Sequence, residues 1–314
     1  MRRAVLEHVW LAWRSFALPG LLVVCALLAI ANVNNQVQSV RNDYVVLQQT
    51  KADYRTNGMD FERDLGRPAH VVTRGDEQSV TNLARFDYDN LTNAVAALKP
   101  ASALSETLYF FCFVFFPALF FLSGLWLSTI HRRYRFEKVS LVRLGTTRTV
   151  LSRQLAMLAT AAIVVIVVLA VEALARTIGS NSISGSLPLA AYPPLEPAAV
   201  ENVGAQLALL LLVTVFFGGA GVAVGQLLGV LALPAIAFLL WDLVIPFLGA
   251  GDPRNWIVVL GLDAFGSRGN DGGYRLPSAL PLAEPLALAL TIGWGVGMIA
   301  LAYFCVRIRN PLAT

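Results

Sequence analysis

The chain has 314 residues, of which 56% are hydrophobic and 14% charged, with a mean hydropathy of +0.63. Soluble domains carry about a quarter charged residues, and several apolar runs here reach the roughly 20 residues that cross a bilayer as a helix. An ordinary soluble enzyme or binding module is thereby excluded, and the expected fold is an all-α polytopic membrane protein. The formal charge of +4 gives no reason to expect a nucleic acid partner, because the basic residues gather beside the apolar runs.

Residues 1–17 contain "RAVLEHVWLAWRSF". At 100° per residue Arg3, Glu7 and Arg14 fall together, opposite Val5, Leu6, Val9, Trp10, Trp13 and Phe16. That pattern predicts an amphipathic helix at the bilayer surface, an elbow with two tryptophans at headgroup depth. Pro19-Gly20 permits a bend into a first span at 18–33; the alternative is one long tilted helix over 3–33.

Residues 34–104 are polar. Val33, Val37, Val40, Tyr44, Leu47 and Tyr54 keep a 3–4 spacing, so the first span is expected to continue outward as a helical stalk ended by Asn57-Gly58. The remainder reads as a small helical or mixed module. Further spans are expected at 105–130, 151–175, 203–224, 229–249 and 285–306, six in all. A loop at 131–150, an outer loop at 176–202 and a tail at 307–314 complete the chain. The 250–284 segment is too polar to span, but "NWIVVLGLDAF" (Asn255–Phe265) fits a short re-entrant or interfacial helix.

Basic residues set the orientation. The stretch 131–154 has seven Arg or Lys residues against one acid, Glu137, whereas 34–104 has eight bases and nine acids. Both termini and the 131–150 loop are therefore expected on the cytoplasmic side, with the 34–104 module and the 250–284 segment outside.

Within "HRRYRFEKVSLVRLGTTRTVLSRQ" (His131–Gln154), Glu137 to Leu144 can form two helical turns. Gly145 is a natural stop, and Thr146 or Thr147 can begin the next helix. The loop reads either as a plain positive-inside anchor or as a short helix lying across the cytoplasmic ends of two spans. With the elbow helix and the re-entrant segment, this layout resembles the permease subunits of the ABC-2 family, bacterial ABC exporters with the type V transporter fold. Matching features are Glu137 after Arg132, Arg133 and Arg135, the turn at Gly145, and Ser152-Arg153 leading into the third span. Lys138-Val139 stands where the family has Gly-Thr, and the turn lacks the Pro often seen there.

The resemblance implies a coupling helix at 137–144 that docks on a separate ATPase, with Glu137, Lys138, Arg143 and Leu144 as ATPase-coupling residues. It implies that ATP and Mg are bound by that partner and that this chain holds no cofactor of its own. It further implies pairing with a second permease copy or a related permease. The setting would be the bacterial cytoplasmic (inner) membrane.

Ionisable groups at membrane depth are costly and default to functional hypotheses. Glu172 and Arg176, four apart, can form a self-neutralising pair. Asp242 in "LLWDLVIPF" reads as a pathway or gating group, or else as a packing hydrogen bond. Trp241 beside it and Phe116 in the aromatic run Tyr109–Phe121 are further candidate pathway residues. Gly218, Gly221 and Gly225 stand at helix-packing spacing.

Cys25, Cys112 and Cys305 all lie in apolar runs and read as apolar filler. A membrane-embedded transferase or protease needs a nucleophile, base or metal set. His8, His70 and His131 are scattered, and no HExxH, GxSxG or Walker A pattern occurs. The leading expectation is an exporter permease that moves an amphipathic or hydrophobic drug, peptide or lipid. The alternatives are a signal-relay protein sensing an outer ligand through 34–104 and, more distantly, a transferase.

Overall fold

A computed structural model of the chain describes residues 1–74, 77–99, 102–133, 142–193, 202–246, 248–265 and 280–309. Helix α1 (Arg2–Arg14) ends where Phe16 adopts a left-handed conformation, φ 60°. The bend thus precedes Pro19-Gly20, so the single helix over 3–33 is ruled out. Pro19 instead sits in the first turn of α2 (Ala17–Thr56), where its missing N–H has no helical partner to lose. Helix α2 is continuous over 40 residues, about 60 Å, joining the expected first span to its stalk. It stops at Asn57, followed by Gly58 at φ 65°, as the Asn-Gly pair predicts.

Beyond α2 come α3 (Phe61–Leu65), a hairpin of β1 (Val71–Arg74) and β2 (Glu77–Val80), and α4 (Leu83–Leu98). The antiparallel hairpin, Val71 opposite Val80, makes this the mixed of the two alternatives expected for the module, within an otherwise all-α fold; β-branched Val71, Val72 and Thr73 suit it. Asn82 joins the pieces. Its side chain accepts from Arg85 N to cap α4 and donates to the carbonyls of Asp64 in α3 and Arg67 just after it. Val33, Val40 and Leu47 of the predicted stalk face are buried with Tyr88, Leu91, Ala94 and Leu98 of α4, and Val37 and Tyr44 pack against them.

The expected span at 105–130 is two helices, α5 (Ala103–Val114) and α6 (Phe116–Arg133), bent by 65°. Pro117 is the cause: it offers no N–H to the carbonyl of Phe113, and its ring crowds that carbonyl. Helix α7 (Thr146–Ser184) runs 39 residues, so the outer loop expected from 176 begins only near Gly185. Its polar end, "GSNSIS", stays helical because it packs on α2: a Cβ at Gly179 would lie 2.9 Å from Val37 Cγ2. Tertiary burial here outweighs the loop-like composition.

Helix α8 (Val203–Leu228) is interrupted by a π-helical turn at Thr214–Gly218. The inserted register turns consecutive Phe216 and Phe217 both inward, each 2% exposed. Gly229 (φ 73°) then reverses the chain into α9 (Ala232–Leu243). Helices α10 (Pro253–Phe265) and α11 (Glu284–Arg309) follow.

Among the described residues four helices, α2, α7, α8 and α11, are long and apolar enough to cross a membrane, or five spans if the bent α5–α6 pair counts as one. The run expected to span at 229–249 supplies only the 12-residue α9, about 18 Å against the roughly 30 Å of a hydrocarbon core. It ends at Leu243 because Pro246 cannot continue the ladder and biases its predecessor away from helix. The expected patch Asn255–Phe265 lies within α10, 13 residues long and too short to cross.

The core of the bundle is the seam between α6 and α8. A Cβ at Gly221 would collide with the Phe121 carbonyl, one at Gly124 with the Gly218 carbonyl, and one at Gly225 with Ser128 Oγ. Backbones in van der Waals contact are what the glycine spacing predicts. The three cysteines are free and buried.

Candidate functional site

One end of the bundle gathers α1, the start of α7 and the end of α11. Small residues of α1 make this possible: Ala4 and Ala12 are buried with His8, and Leu6, Trp10 and Trp13 remain 53–58% exposed. The helix thus turns one face to protein and its large apolar face outward, as an interfacial helix requires. His8 Nε2 lies 3.2 Å from Ser152 Oγ on α7. Arg143, in a helical turn at 142–144, donates from Nη2 to both carboxylate oxygens of Glu7, at 2.9 and 2.7 Å. Gly145 (φ 74°) breaks the backbone before α7, and Leu144 is half-buried beside it. Val150 of α7 clusters with Ala302 and Val306 of α11, so the end of α11 lies beside the start of α7.

Glu137 and Lys138 lie outside the described residues. Ser152 and Arg153 are described, and both are fully buried. With the Gln226 amide oriented to satisfy both its groups, its oxygen accepts from Arg153 Nη1 at 2.8 Å and its nitrogen donates to the Ala302 carbonyl at 2.8 Å. The Ser-Arg step therefore ties α7 to α1, α8 and α11 and presents neither side chain to solvent.

At the opposite end, where the polar module meets the bundle, Arg176 Nη2 donates to Glu172 Oε1 at 2.7 Å and neither side chain is exposed. Asn32 of α2 donates to the same carboxylate oxygen at 2.8 Å, and Arg176 Nη1 to the carbonyl of Ala97 on α4. The predicted pair is thus a junction of three helices, and not an interfacial pair on one. Asn32 could have been found from the sequence as a polar residue in the last turn of the first span; the Ala97 carbonyl could not.

The third constellation lies where α9 ends. Helix α9 starts at the α1 end, where Leu231 and Ala235 share a cavity with Ala12 and Leu18, and it stops after 12 residues. Ending there leaves the last carbonyls without a helical partner. Arg254 supplies the partners. Its Nη1 donates to the carbonyls of Trp241 (2.6 Å), Asp242 (3.3 Å) and Ile245 (2.7 Å), and its Nη2 to that of Pro246 (3.0 Å). The same guanidinium binds Asp252 through Nη2 at 2.7 Å and Nε at 3.1 Å. It also stands 4.6 Å over the Trp241 ring. A cation at a helix C-terminus is favoured by the macrodipole as well.

Trp241 and Asp242 are thus brought together with Arg254 and Asp252, which sequence reasoning overlooked. The available signal was a basic and an acidic residue two apart, shortly after a proline-broken apolar run. Beside them lies a cleft of about 440 Å³ walled by Phe113, Pro117, Phe217 and Ile257. Phe116 does not line it; that ring is fully buried, stacked 4.8 Å from Phe120 and tilted against Phe111 at 5.1 Å. Among the described residues no cluster of three or more His, Cys, Asp or Glu could hold a metal ion.

No protein-family model, curated protein or solved structure matches the chain.

Proposed function

We propose that the chain is the membrane-spanning permease subunit of a bacterial ABC exporter of the ABC-2 type. It would sit in the cytoplasmic membrane with both termini cytoplasmic. Six crossings would be α2, the bent α5–α6 pair, α7, α8, the broken segment from α9 towards α10, and α11. The chain would move an amphipathic or hydrophobic drug, peptide or lipid. ATP and Mg would be bound by separate ATPase subunits, and a second permease copy or a related permease would complete the pathway.

The supporting observation is the clamp at the α1 end. The connection between α6 and α7 is held to α1 by Arg143–Glu7, and α7 itself by Ser152–His8. A push on residues 137–144 would therefore be passed to the surface helix and a 39-residue rigid helix together. That is the mechanical arrangement a coupling helix needs. In it Glu137, the sole acid among seven bases in 131–154, would meet a basic residue of the ATPase, with Lys138, Arg143 and Leu144 framing the contact.

The test is co-expression with the ATPase encoded nearest to this chain, followed by co-purification and ATPase assay. Glu137→Arg should weaken the complex more than Glu137→Ala, because reversal adds repulsion to a lost contact. If neither variant changes binding, transport or hydrolysis, the coupling role fails. Cysteines placed at Asp60, Asn270 and Ser140 check the orientation. The first two should react with an impermeant thiol reagent on intact cells, and the third only after permeabilisation.

A second reading, a signal relay, is favoured by one observation. Helices α2 and α7 run without a break from the polar module into the bundle and could carry a ligand-induced shift inward. Co-purification of a kinase or regulator in place of an ATPase would select it.

A further inference from the structure

We propose that the cleft between α5–α6, α9 and α10 binds a bulky organic cation, an ammonium or phosphonium group on an apolar, aromatic-rich body, with Asp242 as its counter-ion. As a binding site this stands on the cleft alone; as the class of transported substrate it rests on the exporter reading above.

Charge accounting comes first. Asp252 and Arg254 neutralise each other through the 2.7 and 3.1 Å contacts, and the remaining Arg254 donors face carbonyls at the end of α9. Arg254 touches the backbone oxygen of Asp242. The Asp242 carboxylate is different: its Oδ2 is buried with no hydrogen-bond partner among the described residues. Arg254 also lines the cleft, but its guanidinium is engaged by Asp252 and by the α9 carbonyls, which leaves Asp242, among the described lining residues, as the one acid with a carboxylate oxygen that has no partner. A desolvated carboxylate is stabilised by any cation that can reach it.

Shape then selects the cation. Magnesium and calcium take six or more oxygen ligands, and the described lining offers one carboxylate beside the Arg254 guanidinium and otherwise apolar side chains. The cleft, about 440 Å³ and walled by Phe113, Pro117, Phe217 and Ile257, falls in the usual range for small-molecule pockets. Its aromatic faces suit a cation's delocalised or alkylated periphery. Access is lateral: Leu243, Val244 and Ile245 line the cleft and are 60%, 69% and 40% exposed. An amphipathic cation dissolved in the bilayer would reach Asp242 without first crossing water.

Tetraphenylphosphonium and tetraphenylborate have nearly the same shape and opposite charge, so they isolate the electrostatic term. Binding of each to the purified full chain in nanodiscs would be measured by equilibrium dialysis with no ATP and no partner, after subtracting the uptake by empty nanodiscs of the same lipid, because the bilayer's dipole potential favours the anion on its own. This separates the outcome from that of the exporter reading. Wild type should bind the phosphonium well above the borate. Asp242→Asn should lower phosphonium affinity by roughly tenfold or more, as expected for losing a close unit charge in a low-dielectric site, and Asp242→Glu should restore most of it. Val244→Arg adds a positive charge at the exposed rim and should weaken the phosphonium while strengthening the borate; because an arginine facing lipid is costly, its thermal unfolding would be compared with that of wild type in the same nanodiscs. Equal binding of the two ions by wild type would overturn the proposal, as it would show Asp242 to be a protonated packing group. Unchanged phosphonium binding in both Asp242→Asn and Val244→Arg would overturn it as well.

Discussion

Glu172 and Arg176, one turn apart on α7, share a 2.7 Å ion pair from which solvent is fully excluded. Four-residue spacing alone would give an exposed pair worth a few tenths of a kcal/mol. Burial changes the consequence of breaking it, because whichever partner remains is a desolvated charge. Arg176→Met should therefore destabilise the protein by about 3–5 kcal/mol, and the double variant Glu172→Gln/Arg176→Met by less. Thermal unfolding in detergent, compared across a double-mutant cycle, reads this directly. Equal losses for the single and double variants would show that the pair is electrostatically idle.

The polar module gives a pH prediction. Asp87 is buried, and Thr50 Oγ1 donates to its Oδ2 at 2.6 Å. Burial raises its pKa above the ordinary 3.8, with the Thr50 bond pulling the other way. Burial also raises that of Asp43, and repulsion from Asp87 adds to it. A raised carboxyl pKa means the folded state holds the proton more tightly than the unfolded chain. The resulting stabilisation is fully present below 3.8 and is lost as pH rises through the folded value. Asp87→Asn can still accept from Thr50 and never ionises. Its melting temperature should exceed that of wild type at pH 7, and the gap should close as pH falls towards 4. A gap that is constant with pH would contradict the assignment.

Much of this was legible in the sequence, and the reasons are local. The stalk face from Val33 to Tyr54 and its end at Asn57-Gly58 follow from helical period and backbone preference, so they were found. So was the glycine seam at Gly218, Gly221 and Gly225. What escaped depends on partners distant in the chain. The stretch after Arg176 looked like loop until its contact with Val37 of α2 was known. The apolar run 229–249 has the composition of a span, and only the proline at its end and the guanidinium eight residues later explain a 12-residue helix. Phe116 looked the same as its neighbours in an aromatic run; helix phase and the bend at Pro117 put Phe113 on the cleft and Phe116 in the core.

The α6–α8 seam predicts that two glycines will respond oppositely to one methyl group. A Cβ at Gly221 would collide with the Phe121 carbonyl, and backbone cannot rotate away as a side chain can. Gly221→Ala should cost about 1–3 kcal/mol through overpacking. Gly293 of α11 has nothing within 4 Å of its Cβ position, so Gly293→Ala should be neutral or stabilising by up to about 1 kcal/mol through helix propensity. Unfolding measurements on both variants in one detergent would check the contrast. Similar effects at the two sites would mean that the seam is looser than the contact implies.

Arg254 carries the last prediction, because it performs two tasks that lysine cannot perform together. Its planar fork reaches four carbonyls at the end of α9 and holds Asp252, which is itself buried. An ammonium has three donors on a flexible stem and no fork. Arg254→Lys should keep the charge balance with Asp252 and leave some of the carbonyls of residues 241–246 without a donor. Arg254→Met should lose both, at about 3–5 kcal/mol, since Asp252 becomes an unpaired buried charge. Adding Asp252→Asn to Arg254→Met should recover the charge part and leave the carbonyl part. The local readout is hydrogen exchange at Val244 and Ile245, whose amides both donate to the Leu240 carbonyl at 3.0 Å. These amides should exchange faster in Arg254→Lys although global stability falls only partly. If Arg254→Lys matches wild type in both unfolding and exchange, the carbonyls are satisfied by other donors. The guanidinium would then serve Asp252 alone.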